Sequence, residues 1–284
     1  MKKVMTLLFL AFAMVGCEKM LVDDVEIGDE SDSDGNVVLR MDVAADQTRA
    51  VGIPLSNVCG RLNVVVFDAD GNKVKTIAQS ISDVNFGTVG LSVAPGTYSV
   101  VAIAHNCNGS ATITSTEKVT FPSNKVTDTF YYYGTLTATA DRQELSVGLH
   151  RAVAMLRLTL TGSSLRSDVA SLKFYYLGGS STFSPVAGFG CVNSKQTEYR
   201  SWSDDGTYEL YTLPHATEDV LTKVTVTALD AGDNEIGECQ IENVPVTVNR
   251  VTHYTGDIFS GGGGALSVSI TVDPTWDGED SYTY

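Results

Sequence analysis

Positive charge is scarce in this sequence. It has 19 lysines and arginines against 34 aspartates and glutamates, which gives a formal net charge of −15 over 284 residues. A surface of this kind repels nucleic acid and anionic lipid headgroups. The composition therefore excludes nucleic acid as a partner, and a basic patch cannot be what holds the chain at a membrane.

Catalytic and metal-binding motifs are also missing. None of the five cysteines forms a C-x-x-C pair and only four histidines occur, so zinc-ligand spacing is absent. No G-x-S-x-G, G-x-x-x-x-G-K or G-x-G-x-x-G motif is present. Residues 68–72 resemble the start of a calcium loop, but Gln79 stands where such a loop needs glutamate. We therefore predict that the chain is not an enzyme and takes no cofactor or metal.

The third absence is a long helical period. No stretch of twelve or more residues keeps a clean 3.6-residue apolar spacing, whereas segments such as 36–45, 61–67 and 154–160 alternate with a period of two. Valine, threonine, isoleucine, tyrosine and phenylalanine together outnumber leucine, alanine, lysine and glutamate, which favours strands. We predict an all-β chain of two sandwiches.

The first 17 residues, MKKVMTLLFLAFAMVGC, have the pattern of a secretory signal peptide. The apolar run is too short to cross a bilayer as a permanent helix, which needs about 20 residues. The Gly-Cys ending resembles the lipobox of bacterial lipoproteins, which implies removal of residues 1–16 and lipidation of Cys17. Eight of the next 18 residues are acidic, so residues 17–35 are predicted to be a solvated tether. Acidic residues in this place also resemble surface-export signals of Bacteroidota-type lipoproteins.

The body divides into a predicted N-terminal sandwich, 36–145, and a C-terminal sandwich, 146–284. Two echoes support similar halves: residues 224–236 repeat features of 62–74, and 254–258 repeat those of 132–136. The offsets are 162 and 122, so a single tandem copy does not explain both. Either loops were rearranged or hairpins converged on similar sequences.

Four cysteines remain besides Cys17, two in each half and 48 residues apart in both cases. Disulfides are permitted beyond the inner membrane. We predict Cys59–Cys107 and Cys191–Cys239, with free buried thiols as the alternative.

Several motifs together resemble one family. The lipobox, the acidic tether, Thr48-Arg49-Ala50 behind the first strand, LNVVVFDADG, PGTY and Y-x-G-x-L are similar to the fimbrillin superfamily of Bacteroidota-type pili. The block HRAVAMLRL, residues 150–158, most resembles the FimB/Mfa-type anchor subunits. The resemblance implies two tandem transthyretin-like β-sandwich domains and assembly into surface fimbriae. In polymerising members a protease cuts after an arginine, and another subunit's strand fills the groove left by the lost first strand.

The resemblance leads to a functional hypothesis. We expect an anchor or minor subunit, held at the outer membrane by lipid on Cys17, that binds pilin by β-strand complementation. Little chain follows the last predicted strand, so little remains to donate. One alternative is a polymerising stalk subunit cut after Arg49. Another is a surface lipoprotein that binds glycans through aromatic side chains such as Trp202 and Trp276.

Overall fold

A computed structural model describes residues 35–44, 52–161 and 167–257, together with the backbone of residues 267–271. Strands dominate this part of the chain, and its only helical segments are the single 3-10 turns η1 (Leu55–Asn57) and η2 (Pro122–Asn124). The predicted all-β class is confirmed. The strands of the first half are β1 (Val37–Val43), β2 (Ile53–Pro54), β3 (Arg61–Phe67), β4 (Lys73–Ser80), β5 (Thr88–Leu91), β6 (Gly96–His105), β7 (Thr112–Ser115), β8 (Lys118–Thr120), β9 (Thr129–Ala138) and β10 (Gln143–Arg151). Those of the second half are β11 (Ala154–Leu160), β12 (Ser171–Leu177), β13 (Thr182–Ser184), β14 (Phe189–Gly190), β15 (Lys195–Ser201), β16 (Thr207–Thr212), β17 (Glu218–Leu229), β18 (Glu235–Thr247), β19 (Val251–Gly256) and β20 (Ser267–Thr271).

The first sandwich encloses one apolar core between two layers. One layer has β1 at its centre, with β10 on one side and β5 and β2 on the other. The other layer has the order β9-β6-β3-β4. Alternate residues of these strands point into the core because side chains of a strand alternate between its faces. The largest fully buried members of this core are Phe130, Leu55, Leu62, Leu91 and Leu149.

Strand β10 belongs to the first sandwich. Its residues 143–149 pair in parallel with all of β1, and its last two residues pair with β9. The predicted boundary between residues 145 and 146 therefore falls inside a strand, and the division between the sandwiches comes after Arg151. The Asp141-Arg142 turn marks only the return of the chain toward β1.

The second sandwich repeats this arrangement. Its layers have the orders β16-β11-β19-β20 and β15-β12-β17-β18. In β11 the three leucines at 156, 158 and 160 are buried in the second core, while Arg157 and Thr159 lie on the opposite face. The predicted strand period of this segment is thus confirmed.

The two sandwiches share one topology in chain order. Strands β1, β3, β4, β5, β6, β9 and β10 occupy the positions of β11, β12, β15, β16, β17, β18 and β19. The sequence echoes do not follow this correspondence. Asp68 and Asp230 accept the same backbone bonds, from Asn72 N at 2.8 Å and Asn234 N at 2.9 Å, but their hairpins are β3–β4 and β17–β18. These hairpins occupy different positions, so the echo reflects convergence on one turn chemistry.

A third core joins the sandwiches. The hairpin β7–β8 comes from the first half and β13–β14 from the second, and they form one sheet in the order β14-β13-β8-β7. Beneath it, side chains from both halves pack together, among them Phe67, Ile103 and Phe121 of the first and Met155, Phe183 and Leu213 of the second. The join is therefore a packed interface rather than a linker.

Candidate functional site

The first strand is held on both sides along its whole length. Met41 N donates to Gly87 O at 2.8 Å on one side, while Ala44 N donates to Leu149 O at 2.8 Å on the other. The pairing with β10 is parallel, and the pairings with β5 and β2 are antiparallel. The strand predicted to be lost in polymerising relatives is thus an interior strand of its sheet.

A polar clamp fixes the point where β1 begins. The side chain of Asn36 donates to Val93 O and to Thr139 O, both at 2.9 Å, and accepts from Val93 N at 3.0 Å. A Cβ on the preceding Gly35 would lie 2.1 Å from Leu91 O, so only glycine allows this approach. The chain therefore enters the first sandwich by a defined path.

Four side chains of β1 contribute to the first core. Val37, Leu39, Met41 and Val43 are at most 8% exposed. Arg40 faces the solvent and pairs with Glu144 at 3.3 Å. Loss of this strand would open an apolar slot flanked by unpaired backbone groups, which is a template for strand addition.

Two predicted functional residues cannot be placed against this strand. Cys17 and Arg49 both lie outside the described residues. Arg49 belongs to the segment that joins β1 to β2, and these strands pair through Asp42 with Pro54 and Val43 with Ile53. Lipidation at Cys17 and cleavage after Arg49 stay predictions.

The two predicted disulfides, Cys59–Cys107 and Cys191–Cys239, are absent from the structure. All four cysteines are free. Cys59 lies in the first core, whereas Cys107 lies in the third core, where its Sγ donates to Lys125 O at 3.3 Å. Cys191 is exposed and Cys239 packs at the border of the second core. Equal spacing in the sequence did not mean proximity, because each pair is divided between different environments.

Comparison with known proteins identifies the family. The sequence matches the family model described as fimbrillin-A associated anchor proteins Mfa1 and Mfa2 over residues 29–281. The chain belongs to this family. It is therefore a fimbrial subunit, associated with cell-surface fimbriae, from a family of structural proteins. Comparison with curated proteins yields no match.

Solved structures show the fold of this Mfa2-family chain in other proteins. A candidate adhesin from Bacteroides thetaiotaomicron VPI-5482 has a TM-score of 0.53 at 16% identity, covering 84% of this chain and 96% of its own. A candidate polysaccharide-binding protein from the same strain has a TM-score of 0.53 at 10% identity, covering 86% and 98%. A candidate adhesin from Bacteroides ovatus has 0.50 at 13%, covering 84% and 93%.

The aromatic residues considered for glycan binding do not form a shared platform in this Mfa2-family chain. Trp202 packs against the second core, and the Tyr131 ring lies 4.7 Å from that of Phe183 in the third core. Tyr132 packs on the first core, on the opposite face of β9, which leaves Tyr133 as the exposed member of the three. Trp276 lies outside the described residues.

A buried ion pair at the join of this family member was missed by sequence reasoning. Arg151 Nε and Nη2 donate to Asp128 Oδ1 and Oδ2 at 2.8 and 2.9 Å, and Nη1 donates to Asn249 Oδ1 at 3.0 Å. The guanidinium also lies 4.6 Å from the centre of the Phe130 ring. These contacts connect both sandwiches. The only signal in the sequence was an arginine within an otherwise apolar run, Ala152–Met155, which periodicity alone does not distinguish from a surface residue.

His105 is a second buried polar group. Its Nδ1 accepts from Cys107 N at 3.0 Å, and its Nε2 lies 3.1 Å from Asn63 Oδ1. Burial, with the nearby Arg61 guanidinium, lowers the pKa of His105 to about 4. Both ring nitrogens thus have structural partners. Across the described ranges no group of three histidines, cysteines or carboxylates could hold a metal, and no helix there is long and apolar enough to span a membrane.

Proposed function

We propose that this chain is a lipid-anchored anchor or minor subunit of the fimbria. Acyl chains on Cys17 hold it at the outer membrane, and residues 17–35 carry the body away from the lipid surface. The body accepts an extended strand from a neighbouring fimbrial subunit. The single observation that supports this function most is the place of β1, which follows the tether directly and is an interior strand of the first sandwich.

The position of β1 links anchoring to proteolysis. A cut after Arg49 would leave β1 on the lipid side and the rest of the body on the other side. Only the noncovalent pairing of β1 would then connect the two parts. A subunit that anchors therefore benefits from an intact segment between β1 and β2, and a subunit that polymerises by exchanging its first strand requires the cut.

Chemical analysis of the native N-terminus tests this proposal. We expect a mature chain that begins at acylated Cys17 and still contains β1. Cys17→Ala should release both the subunit and its fimbriae into the medium, while Arg49→Gln should change neither lipidation nor attachment. Mature protein that begins at Ala50 in purified fimbriae would contradict the anchor function and support the stalk alternative. The dispersed aromatic residues give the glycan-binding alternative no comparable support.

A further inference from the structure

The outer edge of β10 is a free strand edge. Gln143 N donates to Asn36 O, and Leu149 O accepts from Ala44 N, so the odd-numbered residues of β10 point their backbone groups at β1. Because backbone groups alternate along a strand, those of Glu144, Ser146 and Gly148 point to the opposite side. Within the described ranges, the strand on that side is β9, and it pairs only with His150 and Arg151.

The second sandwich shows what fits such an edge. Strand β19 is the counterpart of β10, since both pair in parallel with the first strand of their sandwich. On the outer edge of β19, strand β20 pairs antiparallel over five residues. The first sandwich has no counterpart of β20 among its described strands. The same position is thus filled in one sandwich and open in the other.

An apolar side chain beside this edge is unusually exposed. Val147 and Leu149 point into the first core, and Leu145 continues the same alternation. Leu145 is nevertheless 38% exposed. The cause is the separation of the two layers, because β9 leaves β10 and continues in the other layer. A strand added along β10 would lie over this gap and cover Leu145.

We propose that the outer edge of β10, formed by Glu144, Ser146 and Gly148 with Leu145 beside it, accepts an antiparallel strand of a fimbrial subunit while β1 stays in place. This inference rests on the proposed anchor function. A chain that stays joined to Cys17 keeps β1, so the slot of β1 remains filled and another acceptor edge is required. The occupant is an extended segment of about five residues, as β20 is, with alternating apolar side chains that cover Leu145.

Two edge variants and one control variant of the full-length chain test the site in the producing bacterium. Ser146→Pro removes the outward N–H and leaves the bonds to β1 intact, and edge strands tolerate such a proline. Leu145→Lys places a charge where the added strand would pack. Ile81→Lys is the control, because Ile81 is also an exposed apolar residue, at 52%, but lies away from β10 at the end of β4. The measurements are acylation of Cys17, thermal unfolding, and the ratio of cell-bound to shed fimbriae.

The expected result is that both edge variants are acylated and folded but lose about tenfold in cell-bound fimbriae, which corresponds to one or two hydrogen bonds. Ile81→Lys should retain them. If Ser146→Pro does not fold, Leu145→Lys decides. Normal attachment in Leu145→Lys together with shedding in Cys17→Ala would overturn the edge site and leave anchoring intact. Normal attachment in Cys17→Ala itself would overturn the anchor function instead.

A second measurement separates a partner's strand from a segment of the same chain. In the purified, acylated full-length protein, the amides of Ser146 and Gly148 should exchange with deuterium rapidly, and they should become protected in attached fimbriae. Slow exchange in the isolated protein would mean that the chain's own tether covers the edge, and it would overturn the proposal.

Discussion

The two sandwiches have the same strand order, but their first sheets differ in how they end. In the second sandwich β20 covers the outer edge of β19, whereas in the first sandwich the equivalent edge of β10 is open over residues 144–148. Both sandwiches bury leucines or valines from their first strand, so the difference does not lie in the core. It teaches that one topology can give a closed unit and an acceptor unit by the presence of a single strand.

The largest expected effect comes from deleting the first strand of the first sandwich. A chain that begins at Ala50 lacks four buried side chains of β1, each contributing roughly 1.5–3 kcal/mol. Their sum is comparable to the whole stability of a domain. We expect the first sandwich to lose its cooperative unfolding transition in calorimetry.

A chain that ends before Ser267 is the matched comparison for this deletion. It loses β20, which pairs on one side only, so the second sandwich should unfold at a lower temperature but still cooperatively. Equal damage by both deletions would show that interior and edge strands are not distinguished as described.

Two arginine pairs give the next largest contrast. Arg151 is 6% exposed at the join, and removing it by Arg151→Ala leaves Asp128 buried without its partner, at a cost of about 3–5 kcal/mol. Arg157 pairs with Glu209 at 2.7 Å on the outer face of the second sandwich and is 24% exposed, so Arg157→Ala should cost about 1 kcal/mol or less. Urea unfolding of both variants measures the difference. Similar losses would contradict the assignment of Arg151 to the join.

A smaller effect is expected from the pH dependence of His105. Its pKa is lowered from 6.5 to about 4 in the folded protein, so the unfolded chain binds the proton more readily between these values. Stability is therefore present above pH 6.5 and is lost as the pH falls toward 4, by up to about 3 kcal/mol. Urea midpoints of the wild type and His105→Gln should converge as the pH falls through this range. A parallel decline of both proteins would assign the acid sensitivity to other groups.

The smallest effect concerns the free thiols. Cys191 is exposed, whereas Cys59 is buried and its burial raises the pKa of the thiol. Under native, non-reducing conditions an alkylating reagent should modify Cys191 first and leave Cys59 unmodified, with no change in thermal unfolding. Mass spectrometry of the peptides gives the order. Resistance of all four cysteines to alkylation until reduction would restore the predicted disulfides.

The sequence was informative where one side chain reports one local condition. Alternation in residues 154–160 predicted β11, and the Asp-rich turn after Phe67 predicted a hairpin, because both depend on neighbours in the chain. The interior place of β1 depends instead on β5 and β10, which are 50 and 100 residues away. The boundary was placed at a turn for the same reason, since nothing local shows that β10 returns to β1.

The free edge of β10 was equally hidden from sequence reasoning. Leu145-Ser146-Val147 looks like any half-buried strand, and its exposure arises only because β9 departs from it. The cysteine pairs failed in a similar way, because equal spacing gives no information on which side of a sheet a thiol lies. The third core could not be predicted either, since it is built from hairpins contributed by both halves.

The clamp at Asn36 has a mechanical consequence. With the lipid on Cys17, as proposed, tension on a fimbria reaches the body at Asn36 and is directed along β1. Seven residue pairs join β1 to β10, and pulling along the strand axis loads their hydrogen bonds in shear, all at once, rather than opening them one after another. The parallel ladder beside the tether would then act as a force-bearing clasp, whose strength under load exceeds that of any of its bonds.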